Sequence, residues 1–142
     1  MDIQAIWDAI NSAAARTRSD YHLTLGELTE FIKEHNYDVA VYALLPDGTR
    51  ASLGEEHSYR GHYEDLSFTP CENSDEHSNV ASVREMCERA ASQTYEGYKG
   101  GDYEYDDKTP LWLADEGCSG LAMIGIAYDM SAHEIIITTK RV

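Results

Sequence analysis

The sequence predicts an α+β domain, a mostly antiparallel sheet of about four to six strands packed with two or three helices. Three observations carry this. Apolar residues recur at helical spacing in three segments. Runs rich in β-branched and aromatic residues, bounded by turn residues, fill much of the remainder. The length of 142 residues and the 42% hydrophobic content suit one core, so residues 1–142 read as a single domain.

Ile3, Ile6, Trp7 and Ile10 predict an amphipathic helix over residues 2–15, followed by the polar run Arg16 to Asp20. Residues 1–20 precede the first clear capping signal and form a candidate partner-contacting appendage. Thr24-Leu25-Gly26-Glu27 is a capping box, in which the threonine hydroxyl accepts from the N3 amide and Glu27 reaches back to the cap amide. Leu25, Leu28, Phe31 and Ile32 form the inner stripe of the helix it starts, with His35-Asn36 as its end. A strand is expected from Asp38 to Leu45, closed by the turn residues Pro46-Asp47-Gly48.

Thr49 to Pro70 reads as polar and irregular, with strand-like pieces near Arg50–Leu53 and Asp65–Thr69, and Cys71 to Val80 as an acidic loop. Ser82-Val83-Arg84-Glu85 repeats the capping-box pattern and predicts a helix from Ser82 to Gln93 with Val83, Met86, Cys87, Ala90 and Ala91 inward. Tyr103 to Tyr105 and Pro110 to Ala114 are β-rich, and Leu121 to Tyr128 with Glu134 to Lys140 read as a hairpin. Ile135 and Ile137 fall on one face of its last strand and Ile136 on the other, which predicts cover on both sides. Thr24 to Tyr42 and Ser82 to Tyr103 share a helix-then-strand pattern, the sign of a duplicated unit.

The chain carries 11 Lys plus Arg against 26 Asp plus Glu, a formal charge of −15. That balance disfavours direct binding to nucleic acid or to anionic membranes. The start Met1-Asp2-Ile3-Gln4 lacks a basic and an apolar export region, and no stretch is long and apolar enough to span a bilayer, so a cytoplasmic location is expected. Cys71, Cys87 and Cys118 are odd in number and widely spaced, which fits reduced thiols, with Cys87 in the core.

Two segments, Ser58-Tyr59-Arg60-Gly61-His62-Tyr63 and Tyr95-Glu96-Gly97-Tyr98-Lys99-Gly100-Gly101, concentrate aromatic, basic and glycine residues. Tyr59, Tyr63 and Tyr98 offer faces on which a base can stack, and Arg60 and Lys99 offer charge to a phosphate. Gly61, Gly97, Gly100 and Gly101 let backbone amides approach a ligand closely. The competing reading is a pair of ordinary turns whose cations pair with abundant carboxylates. Neither GxxxxGK[ST] nor GxGxxG is present.

Together with Thr109-Pro110-Leu111-Trp112-Leu113-Ala114, these segments resemble a family of small uncharacterised proteins of tailed bacteriophages. The resemblance runs from about Leu23 to Ile126 and implies a phage accessory protein acting in the cytoplasm of an infected host, where such proteins often counter host defence. The expected function is to bind and sequester a small phosphorylated, nucleotide-like ligand. A second copy of the chain would deepen the pocket of so small a domain.

The alternative is an acidic inhibitor or DNA mimic of a host defence protein, using Glu55-Glu56, Glu64-Asp65, Asp75-Glu76 and the acids from Asp102 to Asp107. His57, His62, Cys71 and His77 lack the tight pairing that zinc requires, so no metal is expected. Cys118 lies in a turn-like Glu116-Gly117-Cys118-Ser119-Gly120 with no base tied to it by sequence. No catalytic residue and no cofactor are assigned, and the balance leans against an enzyme.

Overall fold

Helix α1 (Leu25–Lys33) begins where the capping box places it: Glu27 N donates to Thr24 Oγ1 at 3.2 Å and Thr24 N to Glu27 Oε1 at 3.0 Å. Its buried residues are Leu25, Leu28 and Ile32, with Phe31 partly buried beside them. In the computed structural model the described residues are 22–59, 62–71, 77–92, 94–96, 102–115, 117–118 and 120–141. The helix expected over 2–15, and with it the appendage of residues 1–20, lies outside them.

Strand β1 (Ala40–Leu44) follows and turns through Pro46-Asp47-Gly48 into β2 (Arg50–Tyr59). Gly48 takes φ +90°, and Asp47 Oδ1 accepts from Thr49 N at 3.0 Å and Thr49 Oγ1 at 2.7 Å, holding the Asp47 carboxyl below its ordinary pKa. Strand β3 (His62–Cys71) pairs back on β2. The segment expected to be irregular is thus one long hairpin. Register shifts between Leu53 and Glu56 and between Ser58 and Tyr59 interrupt the period of two that would have marked it.

Helix α2 (Val80–Ser92) starts two residues before the expected Ser82. Asn79 Oδ1 accepts from Ser82 N at 2.9 Å and Asn79 N donates to Ser82 Oγ at 3.0 Å, so Ser82 is the reciprocating partner rather than the cap. The short strands β4 (Thr94–Glu96) and β5 (Asp102–Glu104) pair only with each other. Then come β6 (Leu111–Leu113), β7 (Leu121–Asp129) and β8 (Glu134–Lys140).

β1, β2, β3, β6, β7 and β8 close into a barrel in that order. Four neighbour pairs are antiparallel, while β3–β6 and β8–β1 are parallel. With two helices and a six-stranded, mostly antiparallel sheet among the described residues, the fold is α+β as the sequence predicts. Closure of the sheet is what the sequence did not predict. The strand directions bring the β2–β3 and β7–β8 connections to the same end of the barrel.

Alternation sorts side chains inward and outward. Val41 and Ala43 of β1, Leu66 and Phe68 of β3, Leu111 and Leu113 of β6, and Ile135 and Ile137 of β8 join the inner faces of both helices in the main core. Ile136 packs on the other side with Leu44, Ala127 and Tyr42, so β8 is covered on both faces as expected. In β7 the register slips between Met123 and Gly125, which lets Met123 and Ile126 both face the core although three positions apart.

The barrel consists of two similar halves, α1-β1-β2-β3 and α2-β6-β7-β8, antiparallel within and parallel between. Their ends are exchanged. Thr24, the cap of α1, bridges Pro110 at the entry to β6, while Asn79, the cap of α2, bridges Ala40 at the entry to β1. Leu111 N donates to Leu23 O at 3.0 Å and Val41 N to Ser78 O at 2.8 Å, one bond in each exchange. The topology does not follow the alignment expected from the sequence: Thr24 corresponds in position to Asn79 rather than Ser82, and β1 to β6 rather than to the segment ending at Tyr103.

Candidate functional site

Both tyrosine-, glycine- and cation-containing motifs fall on hairpins. Tyr59 pairs with His62 at the end of β2–β3, with Arg60 and Gly61 between them in the chain. Tyr95 pairs with Tyr103 in β4–β5, with Gly97, Tyr98, Lys99, Gly100 and Gly101 between the strands in the chain. Arg60, Gly61, Gly97, Tyr98, Lys99, Gly100 and Gly101 lie outside the described residues, and Tyr63 is described by its place in β3.

The two hairpins are joined at their flanks. Ser58, two positions before Arg60, and Tyr105, directly after β5, share a hydrogen bond between hydroxyls at 2.7 Å. Tyr105 is buried in the main core, so its hydroxyl is carried on a fixed ring and ties the edge of β2 to the exit of β5. Ser58 opens the first motif without a role of its own and Tyr105 lies outside the second, because the signal is a pairing across 47 positions.

Tyr59 has another role from the one its motif suggests. Its ring stacks on Trp112 with centroids 4.0 Å apart and planes 8° apart, and only 5% of the residue is exposed. Gly120 N donates to its hydroxyl at 3.1 Å. The stacked face is thus committed to Trp112, and Tyr59 supports the hairpin end instead of offering a free platform. Trp112 in turn donates from Nε1 to Asp65 Oδ2 at 2.9 Å, and the His22 ring lies 4.6 Å away at a tilt. A Cβ at Gly120 would come within 2.2 Å of Leu113 O, so that close approach requires glycine.

The charges around the site are partly spoken for. Arg89 forks onto Glu56 with bonds of 2.7 and 3.1 Å, a contact that holds the guanidinium further toward its charged form. Glu56 and Asp65, two members of the acidic runs, are therefore tied into the fold. Arg50 of β2 pairs with Glu134 of β8, the two strands that flank β1, Arg84 with Glu88, and Lys33 with Glu30.

Of the histidine and cysteine stretch, the side chains of His57, Cys71 and His77 are described and that of His62 lies outside the described ones. His57 Nε2 lies 2.8 Å from Ala114 O and its Nδ1 3.1 Å from Ser58 O, so the ring pins the hairpin to backbone carbonyls. His77 rests near the Tyr42 ring, with centroids 5.8 Å apart. Among the described residues no group of three or more His, Cys, Asp or Glu is placed to hold a metal ion. Cys71, Cys87 and Cys118 are free thiols. Burial pushes Cys87 up to about 12, which makes it a core residue and a poor nucleophile.

No described helix is long and apolar enough to cross a membrane. What the described residues supply is two hairpins joined by Ser58 and Tyr105, with Arg60 and Lys99 lying between their strands in the sequence. No family model, curated protein or solved structure matches the chain, so the site is read from its own residues.

Proposed function

We propose that the protein is a bacteriophage accessory protein that binds and sequesters a small phosphorylated, nucleotide-like ligand between the ends of β2–β3 and β4–β5. The observation that supports this reading is the Ser58–Tyr105 hydrogen bond, which fastens together the flanks of the only two segments combining tyrosine, glycine and a cation. Arg60 and Lys99 neutralise phosphate, Tyr63 and Tyr98 stack on the base, and Gly61, Gly97, Gly100 and Gly101 shape the walls. Tyr59 acts from behind, through its stack on Trp112. Phage origin rests on the motif resemblance, and action in the host cytoplasm follows from that origin. A counter-defence role is the use such binding would serve.

The test is a panel of cyclic and linear nucleotides followed by thermal unfolding and by recovery of the ligand after denaturation. A bound compound at a hundred times its dissociation constant adds about 2.7 kcal/mol of stability. It is recovered chemically unchanged, and Arg60→Ala or Lys99→Ala removes the shift while Lys108→Ala, at an exposed lysine, keeps it. A compound returned hydrolysed would make the protein an enzyme. If no compound shifts the unfolding, the reading fails and the search turns to basic protein partners, whose binding weakens steeply with salt.

A further inference from the structure

At the end of the barrel where β7 turns into β8, a second group of polar side chains converges on one phenol. Tyr128 Oη lies 2.9 Å from His133 Nδ1. On the other side of the same imidazole, Nε2 faces Asp38 Oδ1 at 3.9 Å. At 3.9 Å that contact is longer than a hydrogen bond and does not itself fix the tautomer; in the tautomer with its proton on Nε2, Nδ1 is the acceptor and the phenol O–H the donor. The order is carboxylate, imidazole, hydroxyl, the arrangement by which a base activates a nucleophile.

The backbone is shaped to present it. His133 has φ +55°, the one non-glycine residue with positive φ among those described; His is one of the residue types that adopts this left-handed conformation more readily than most. Asp129 Oδ1 fixes the turn by accepting from Ser131 N at 3.0 Å and Ala132 N at 3.3 Å. His35 lies against the Tyr128 ring, with centroids 4.5 Å apart, and itself stacks on Phe31 of α1. The ring is thereby anchored and partly buried against the main core, while its two polar neighbours are exposed, the His133 side chain to 52% and that of Asp38 to 81%.

We propose that Tyr128 is a base-activated phenol that accepts an acyl group from an activated acyl ester. Tyr128 Oη forms the new bond to the carbonyl carbon and its proton passes to His133 Nδ1. The bond to the leaving oxygen breaks, that oxygen keeps the electron pair, and the imidazolium returns the proton to it or to water. The product is an O-acyl tyrosine, formed once per chain.

The full chain is exposed briefly to p-nitrophenyl acetate and the acetylated peptides are quantified by mass spectrometry. Tyr37 serves as the internal reference, since it is 60% exposed and its hydroxyl accepts from Arg84 Nη1 at 3.2 Å, a cation in place of a base. Tyr128 is expected to label about a hundred-fold faster than Tyr37, the lower end of what general-base catalysis supplies. In His133→Asn and His133→Gly, both able to adopt positive φ, that preference falls to near unity while Tyr37 labelling is unchanged. Equal labelling of the two tyrosines in the wild-type chain overturns the proposal, as does a preference that survives in a folded His133 variant.

Discussion

The two halves of the barrel are built to one plan and finished differently. Each begins with a capped helix whose cap bridges the other half, and each continues into three antiparallel strands. In the first half helix and strand are joined by residues 34–39, whereas in the second residues 93–110 intervene and contain β4–β5. The centres of the entry strands differ in the same way. Trp112 of β6 is 7% exposed, stacked on Tyr59 and bonded to Asp65, while its counterpart Tyr42 of β1 is partly exposed between His77 and the Arg50 guanidinium. A repeated scaffold thus carries non-repeated chemistry, and that chemistry sits where strands connect.

The sharpest way to break this comparison is to truncate the two outward aromatics. Trp112→Ala should cost about 3–5 kcal/mol in urea unfolding, because it removes a buried indole and leaves Asp65 without its donor. Tyr42→Ala should cost about 1 kcal/mol, since a partly exposed ring with an exposed cation over it contributes little. Equal losses would mean that the halves are energetically alike and that the burial of Trp112 does not matter.

The caps test the shared part of the plan. Thr24→Ala and Asn79→Ala should each lose about 1 kcal/mol, the usual value of an N-cap, and by the same measurement the two should agree. A much larger loss at one of them would show that the exchanged ends do not contribute equally.

The smallest effect at neutral pH belongs to Cys87, which gives α2 a buried titratable group that the inner face of α1 lacks. Its folded pKa is raised to about 12, so the unfolded chain, with a thiol near about 8.5, ionises first. Stability is therefore intact below about 8.5 and falls as pH rises from there toward 12. Cys87→Ala should flatten that alkaline slope in a series of unfolding curves. A thiol reagent should meanwhile modify exposed Cys118 in the native chain and spare Cys87.

What was legible in the sequence was local. The Thr24/Glu27 cap, the inner stripe of α1 and the two-sided cover of β8 each follow from residues within a few positions of one another. Asn79 is not evident as a cap because Ser82-Val83-Arg84-Glu85 offers a competing box three residues later, and the choice between them depends on the bridge from Asn79 to Ala40. The β2–β3 hairpin was hidden by its register shifts and by its polar composition. Tyr59 carries the same letters whether it stacks on a ligand or on Trp112, and the partner that decides is 53 positions away. Barrel closure through β1 and β8 has no local signature at all.

That closure also sets an order of events in synthesis. Leu44 O accepts from Thr139 Oγ1 across 95 positions, and β1 lacks one of its neighbours until β8 arrives. The first half leaves the ribosome with an unpaired strand edge and with Thr24 awaiting Pro110, so it has no closed state to fold into by itself. Long-range pairing of this kind slows folding. A pause during translation between α2 and β6 would lengthen the exposure of that edge, and aggregation of stalled chains should rise with the length of the pause.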